Sequence, residues 1–154
     1  MSATAARAAA VLAGLWAGIL LCIGAIAAPS AFGALAPAEA GRVVARVFMQ
    51  EAYLSLGIAL VLFVIERQRS RKLADVGVAS VFSTNLVLLL GTLFCTVAGY
   101  FAVQPMLSAA RAGQGPVSFM TLHAVSAGFF ALKGVLVLAL AWRLTAAVRT
   151  AATS

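Results

Sequence analysis

An all-α integral membrane bundle of four transmembrane helices, with both termini cytoplasmic, is the fold this sequence predicts, and three observations carry it. The chain is 64% hydrophobic and only 10% charged, whereas about a quarter of the residues of a soluble domain are charged. Its mean hydropathy is +1.08. Apolar runs of bilayer-spanning length alternate with short stretches rich in Pro, Gly or Arg. The basic residues crowd beside these runs, where they set topology and meet anionic lipid head groups, so the net charge of +7 is not a nucleic-acid signal. The 154 residues hold one domain over 1–154, with helices at about 6–28, 38–65, 79–103 and 117–146, and leave nothing for a soluble domain. The bilayer is the first expected partner, and nucleic acid is excluded.

The first apolar run, Ala8 to Ala28, follows Arg7 and superficially resembles a secretory signal. It is longer than the roughly 7–15 residues of a signal's apolar region, so a retained helix is expected. Ala6, Ala10, Gly14, Gly18 and Cys22 form a small-residue ladder at helical spacing, with GLWAG as a minimal GxxxG. Packing within the chain is favoured for this ladder over contact with a second copy or another membrane protein. Pro29 and Ser30 are expected to end the helix, because proline lacks an N–H and crowds the preceding turn. The segment APSAFGALAPAEAG then reads as a surface connection, with Phe32 and Leu35 dipping into the interface.

The second helix carries the most informative residue, Glu51. A carboxylate at membrane depth costs roughly 2.5–3.5 kcal/mol on insertion scales, so it needs a partner, a proton or a water-filled cavity. Arg42 and Arg46 lie on the opposite side of the helix and can snorkel to the surface, while Phe48, Ser55 and Ile58 share the Glu51 face. Glu51 lies roughly 13 Å further in than Arg42 at the helical rise and cannot follow it.

The run Glu66-Arg67-Gln68-Arg69-Ser70-Arg71-Lys72 reads as a short basic loop. The positive-inside rule places it in the cytoplasm, together with Arg7, Arg143 and Arg149, and a topogenic role is favoured over phosphate binding. The expected location is therefore a membrane, spanned several times with this face on the cytoplasmic side. In the third helix Asn85, Thr92, Thr96 and Gly99 form one polar stripe that should face the bundle. Gly91, Cys95 and Gly99 form a second small-residue ladder, suited to packing on the ladder of the first helix. Tyr100 suits the outer interface. Gln104 to Pro116 is expected to be an exposed turn.

The fourth helix brings His123, Ser126, Phe130 and Lys133 to neighbouring positions of one face. Intramembrane ionisable groups face the bundle interior, so this face and the Glu51 face are expected to look at each other. Measured from the outer surface, His123 lies roughly 9 Å and Lys133 roughly 24 Å deep, with Glu51 between them. Either could be its partner. The buried polar cluster Glu51, His123, Lys133, Asn85 and Ser126 has two readings, a pair that holds the helices in register and a proton or ion site.

Taken in order, LWAG, AAPSAFGAL, AGRVVARVFMQEAYLSLG and LHAVS resemble the transmembrane protein 205-like family, known in bacteria as domain of unknown function 4149, with Pro29, Phe32, Ala40, Gly41, Phe48, Leu122, His123 and Ser126 at the matching places. The resemblance implies a four-helix membrane protein without an established activity, and an accessory or structural role is favoured over an enzyme.

A looser likeness, Pro29-x-x-Phe32 after the first helix, is shared with the haem-dependent protoporphyrinogen oxidase and the copper-resistance D-type proteins. A b-type haem commonly takes two axial ligands. With one His, this chain would need Met49, Met106, Met120 or a second subunit. His123 with Met120 suits copper(I) but makes a poor site alone. No cofactor is expected. The competing functional class is a small proton-coupled transporter, or a haem- or copper-binding redox protein, using Glu51 and His123. No catalytic residue is expected, since GxSxG, HExxH and GxxxxGK[ST] are absent. Cys22 and Cys95 both fall in spans and form no redox or metal motif.

Overall fold

The computed structural model describes residues 3–75, 77 and 83–153. It contains four helices long and apolar enough to cross a membrane, and no strand among the described residues. Helix α1 is α-helical over Ala3–Cys22, passes through a π-helical turn at Ile23–Ala27, and continues over Ala28–Ala34. The stop expected at Pro29 does not occur. In the π turn the Ala28 N–H donates to the Ile23 carbonyl, one residue further back than in an α-helix. The widened turn accommodates a ring that would otherwise crowd the carbonyl four residues earlier. The surface connection therefore shrinks to Leu35 and Ala36.

Helix α2 spans Pro37–Asp75, with Pro37 at its start and Glu39 in its first turn, where both are favourable. It runs to Asp75 rather than Ile65. The basic stretch is thus helix, not loop, because Arg, Glu, Gln and Lys are among the best helix formers and Glu66 meets Arg69 one turn on, at 3.5 Å.

Helix α3 spans Thr84–Arg111. The Ser83 hydroxyl caps its start by accepting from the Leu86 N–H at 3.3 Å. The start expected at residue 79 lies outside the described residues. A second π turn, Val97–Ala102, precedes Pro105 and absorbs it in the same way, so much of the expected outer turn is helical. The helix stops where Gly113, at φ +71°, lets Gln114 N–H reach the Ala109 carbonyl and Gly113 N–H the Ala110 carbonyl. Helix α4, Phe119–Thr153, starts beyond Ser118, whose hydroxyl accepts from the Thr121 N–H.

Helix α4 packs along α1 and α3, and α2 packs against α1 and α3. Going round the bundle the order is α1, α4, α3, α2, so α2 and α4 face each other across a diagonal. The apolar core joins Trp16 to Leu62, Leu89, Val137 and Leu140, in the half nearer the termini.

Both small-residue ladders behave differently from expectation. Ala9, Ala13 and Ala17 are the positions α1 buries, whereas Gly14, Gly18 and Cys22 face outward, and nothing lies within 4 Å of where a Cβ on either glycine would sit. The one-residue offset decides this, because Trp16 and Leu20 fill the interior on the same face as the alanines. Gly91, Cys95 and Gly99 pack on α4 rather than α1: a Cβ on Gly99 would sit 2.5 Å from that of Phe129, and one on Gly91 3.0 Å from the Leu136 side chain.

Candidate functional site

Glu51 and Lys133 meet across the diagonal. The Lys133 ammonium donates to Glu51 Oε1 at 2.7 Å and Oε2 at 2.8 Å, and the two residues are only 4% and 3% exposed. Ser55, one turn along α2, donates its hydroxyl to Glu51 Oε1. Trp16 of α1 donates its indole N–H to Ser55 Oγ at 2.8 Å. A continuous polar chain therefore joins α1, α2 and α4 at the middle of the bundle. Two phenyl rings guard the pair, with Phe48 edge-on to Phe130 at 4.9 Å and the Lys133 ammonium 5.3 Å from the Phe130 ring centre.

A bilayer charges heavily for an isolated ion, but this one is paired, doubly hydrogen-bonded and supported by a hydroxyl, the conditions under which a buried pair persists. No fully buried side-chain nitrogen or oxygen among the described residues lacks a hydrogen-bond partner.

Helix α3 contributes the wall. Thr92 and Thr96 are buried, yet their hydroxyls donate back to the Leu89 and Thr92 carbonyls at 2.8 and 2.9 Å, so they need no partner from another helix. The polar stripe thus faces the bundle as expected. Ser126 of α4 donates to the Gly99 carbonyl at 2.9 Å, inside the second π turn. Beside this bond and the ion pair lies a cavity of about 20 Å³, lined by Thr96, Tyr100, Ser126 and the pair itself, together with the apolar residues Phe48, Cys95, Gly99 and Phe130.

Asn85 joins a different group. Its Nδ2 donates to Glu66 Oε1 at 2.9 Å, and its Oδ1 accepts from Arg143 Nε at 2.9 Å. Glu66 is 5% exposed, so this second cluster clamps α2, α3 and α4 near their terminal ends.

His123 does not join the interior. It is exposed and lies nearly parallel to the Phe119 ring, with centres 5.8 Å apart and planes at 14°, while Arg111 sits 4.9 Å above the same phenyl. At 3.6 residues per turn His123 is roughly 80° round the helix from Lys133, enough to turn it to the rim. Met120 is 70% exposed. The expected five-residue cluster thus divides into the Glu51–Lys133 pair with Ser126 beside its cavity, Asn85 in the terminal clamp, and His123 outside.

Trp16, Glu66 and Arg143 are participants that sequence reasoning passed over. A tryptophan deep in a span, away from the interfacial belt, needs a partner for its N–H, which was the available signal. For Glu66 the signal was the stripe Glu51, Ser55, Ile58, Leu62, Glu66, Ser70, which keeps helical spacing into the basic run.

These features define a polytopic helical membrane protein with a charged core. The family model of the domain of unknown function DUF4149 matches residues 11–116, more than half of the chain, and the chain belongs to that family. The matched region includes Trp16, Glu51, Ser55, Glu66 and Asn85, and ends before α4 with Lys133. No curated protein and no solved structure matches the chain significantly.

Proposed function

We propose that this is a non-enzymatic accessory or structural membrane protein, whose buried polar groups hold four helices in one register. The observation that carries this reading is the way Glu51 is held: its carboxylate accepts from both Lys133 and Ser55, and Ser55 from Trp16. A proton or ion carrier needs a carboxylate free to exchange, and this one is locked by groups from three helices. The donor set argues in the same direction for cofactors, since the single His is exposed at the rim beside an exposed Met120.

By the positive-inside rule both termini are cytoplasmic, because Arg7, Arg67, Arg69, Arg71, Lys72, Arg143 and Arg149 belong to the terminal end against Arg42, Arg46 and Arg111 at the other. The setting is a bacterial inner membrane. Kinship with the transmembrane protein 205-like proteins rests on the same ordered motifs that the resemblance used. A partner, either a second copy or another membrane protein, would approach the outward Gly14–Gly18 face of α1.

Purified protein in liposomes under an imposed pH gradient tests the core of this reading. The expected result is proton flux equal to that of protein-free vesicles, and an absorption spectrum flat in the Soret region for protein made with adequate haem. Flux abolished by Glu51→Gln in protein that remains folded would instead establish the transporter, and a haem spectrum lost with His123→Ala the redox protein.

A further inference from the structure

The two sides of the Glu51–Lys133 pair are packed differently. Towards the termini, α2 continues with Ile58, Ala59 and Leu62, and α4 with Val137 and Leu140, all in one closed apolar cluster with Trp16. Towards the connecting turns lies the cavity, and α2, α3 and α4 each contribute to it from that side: Phe48 precedes Glu51, Gly99 and Tyr100 follow Thr96, and Ser126 and Phe130 precede Lys133. The second π turn forms part of its wall, where the backbone of α3 departs from α geometry. Such turns frequently mark functional sites.

From this asymmetry we infer that the cavity is a water site, and that the ion pair is hydrated from the connecting-turn side alone. A cavity needs roughly 10–15 Å³ to hold one water, together with two to four polar partners. This one offers about 20 Å³. An ammonium has three N–H donors and an ionised carboxylate about four acceptor positions. Two of the Lys133 donors are spent on Glu51, which leaves one for a ligand in the cavity its side chain lines. Ser126 and Thr96 each donate to a backbone carbonyl and keep an accepting lone pair, and the Tyr100 hydroxyl can do either. The pair is neutral overall, so the lining suits a small neutral molecule that both donates and accepts, which is water, rather than an ion.

The consequence is a dead-end inlet. Water reaches the pair from the turn side, and the apolar plug beneath it separates the pair from the Glu66–Asn85–Arg143 clamp. The inference goes beyond the structural role proposed above, because a pair that holds the helices in register could equally be dry.

The chain has only two lysines, Lys72 and Lys133. Protein labelled with ¹⁵N-lysine, in lipid nanodiscs, therefore gives at most two ammonium signals, and the exposed Lys72 exchanges fast. The expected result is a cross-peak between water and the Lys133 ammonium that is lost in Ser126→Val, which adds apolar bulk to the cavity, and persists in Leu140→Val, which loosens the plug. A Lys133 signal coupled to Glu51 with no water cross-peak overturns the inference and leaves the register role intact. A water cross-peak unaffected by Ser126→Val overturns the inlet, since the water then arrives by another route. Absence of coupling between Lys133 and Glu51 overturns the pair on which both readings rest.

Discussion

Glu51 and Glu66 lie on the same stripe of α2 and are almost equally buried, at 4% and 5% exposed, yet the protein holds them by different means. Glu51 faces a lysine buried with it, brought from across the diagonal. Glu66 faces a neutral amide, Asn85, which relays to Arg143, and has Arg69 beside it on its own helix at 3.5 Å. Depth explains the difference. Near the end of the bundle, arginines neutralise an acid while their long side chains keep contact with water, and Arg69 is 32% exposed. In the middle, no side chain reaches water that way, so the counter-charge has to be buried too.

The largest effect should come from breaking the deep pair on one side. Lys133→Met leaves a carboxylate in the bundle without its cation, and should destabilise the protein by about 3–5 kcal/mol, read from reversible unfolding in detergent micelles. Asn85→Leu breaks the terminal clamp and should cost less, about 1–3 kcal/mol, because Glu66 and Arg143 lose a hydrogen-bonded intermediary while Arg69 remains. Equal losses for the two variants would remove the distinction drawn between the clusters. The smallest effect sharpens the comparison within the deep site. Trp16→Phe keeps most of the packing and removes one interhelical hydrogen bond, which in membranes averages about 0.6 kcal/mol, so a far larger loss would mean that the ring and not its N–H holds α1 in place.

Much of the fold was legible because it follows from one-dimensional rules. Four apolar stretches and the polar stripe of α3 need only composition and a 3.6-residue period. The Glu51 face of α2 was visible from the same period. Helix ends were less legible, and two of the misplaced ends share a physical reason: Pro29 and Pro105 each follow a π turn, and that widening is a backbone adjustment with no residue signature of its own. The choice between His123 and Lys133 was also out of reach, since both have plausible depths. It is decided by the rotation of α4 within the bundle, which depends on contacts such as Gly99 against Phe129 that link residues far apart in the chain.

The central claim, that Glu51 is held by Lys133 and not by His123, is tested most directly by two double-mutant cycles on unfolding free energy. One combines Glu51→Gln with Lys133→Met, the other Glu51→Gln with His123→Ala. In the first cycle the double variant should recover much of what Lys133→Met loses, because no uncompensated charge remains, and the coupling should lie towards the upper end of about 0.5–3 kcal/mol. In the second, effects should add within about 0.3–0.5 kcal/mol, as for residues that share no partner. Additivity in the first cycle, or strong coupling in the second, would contradict the account.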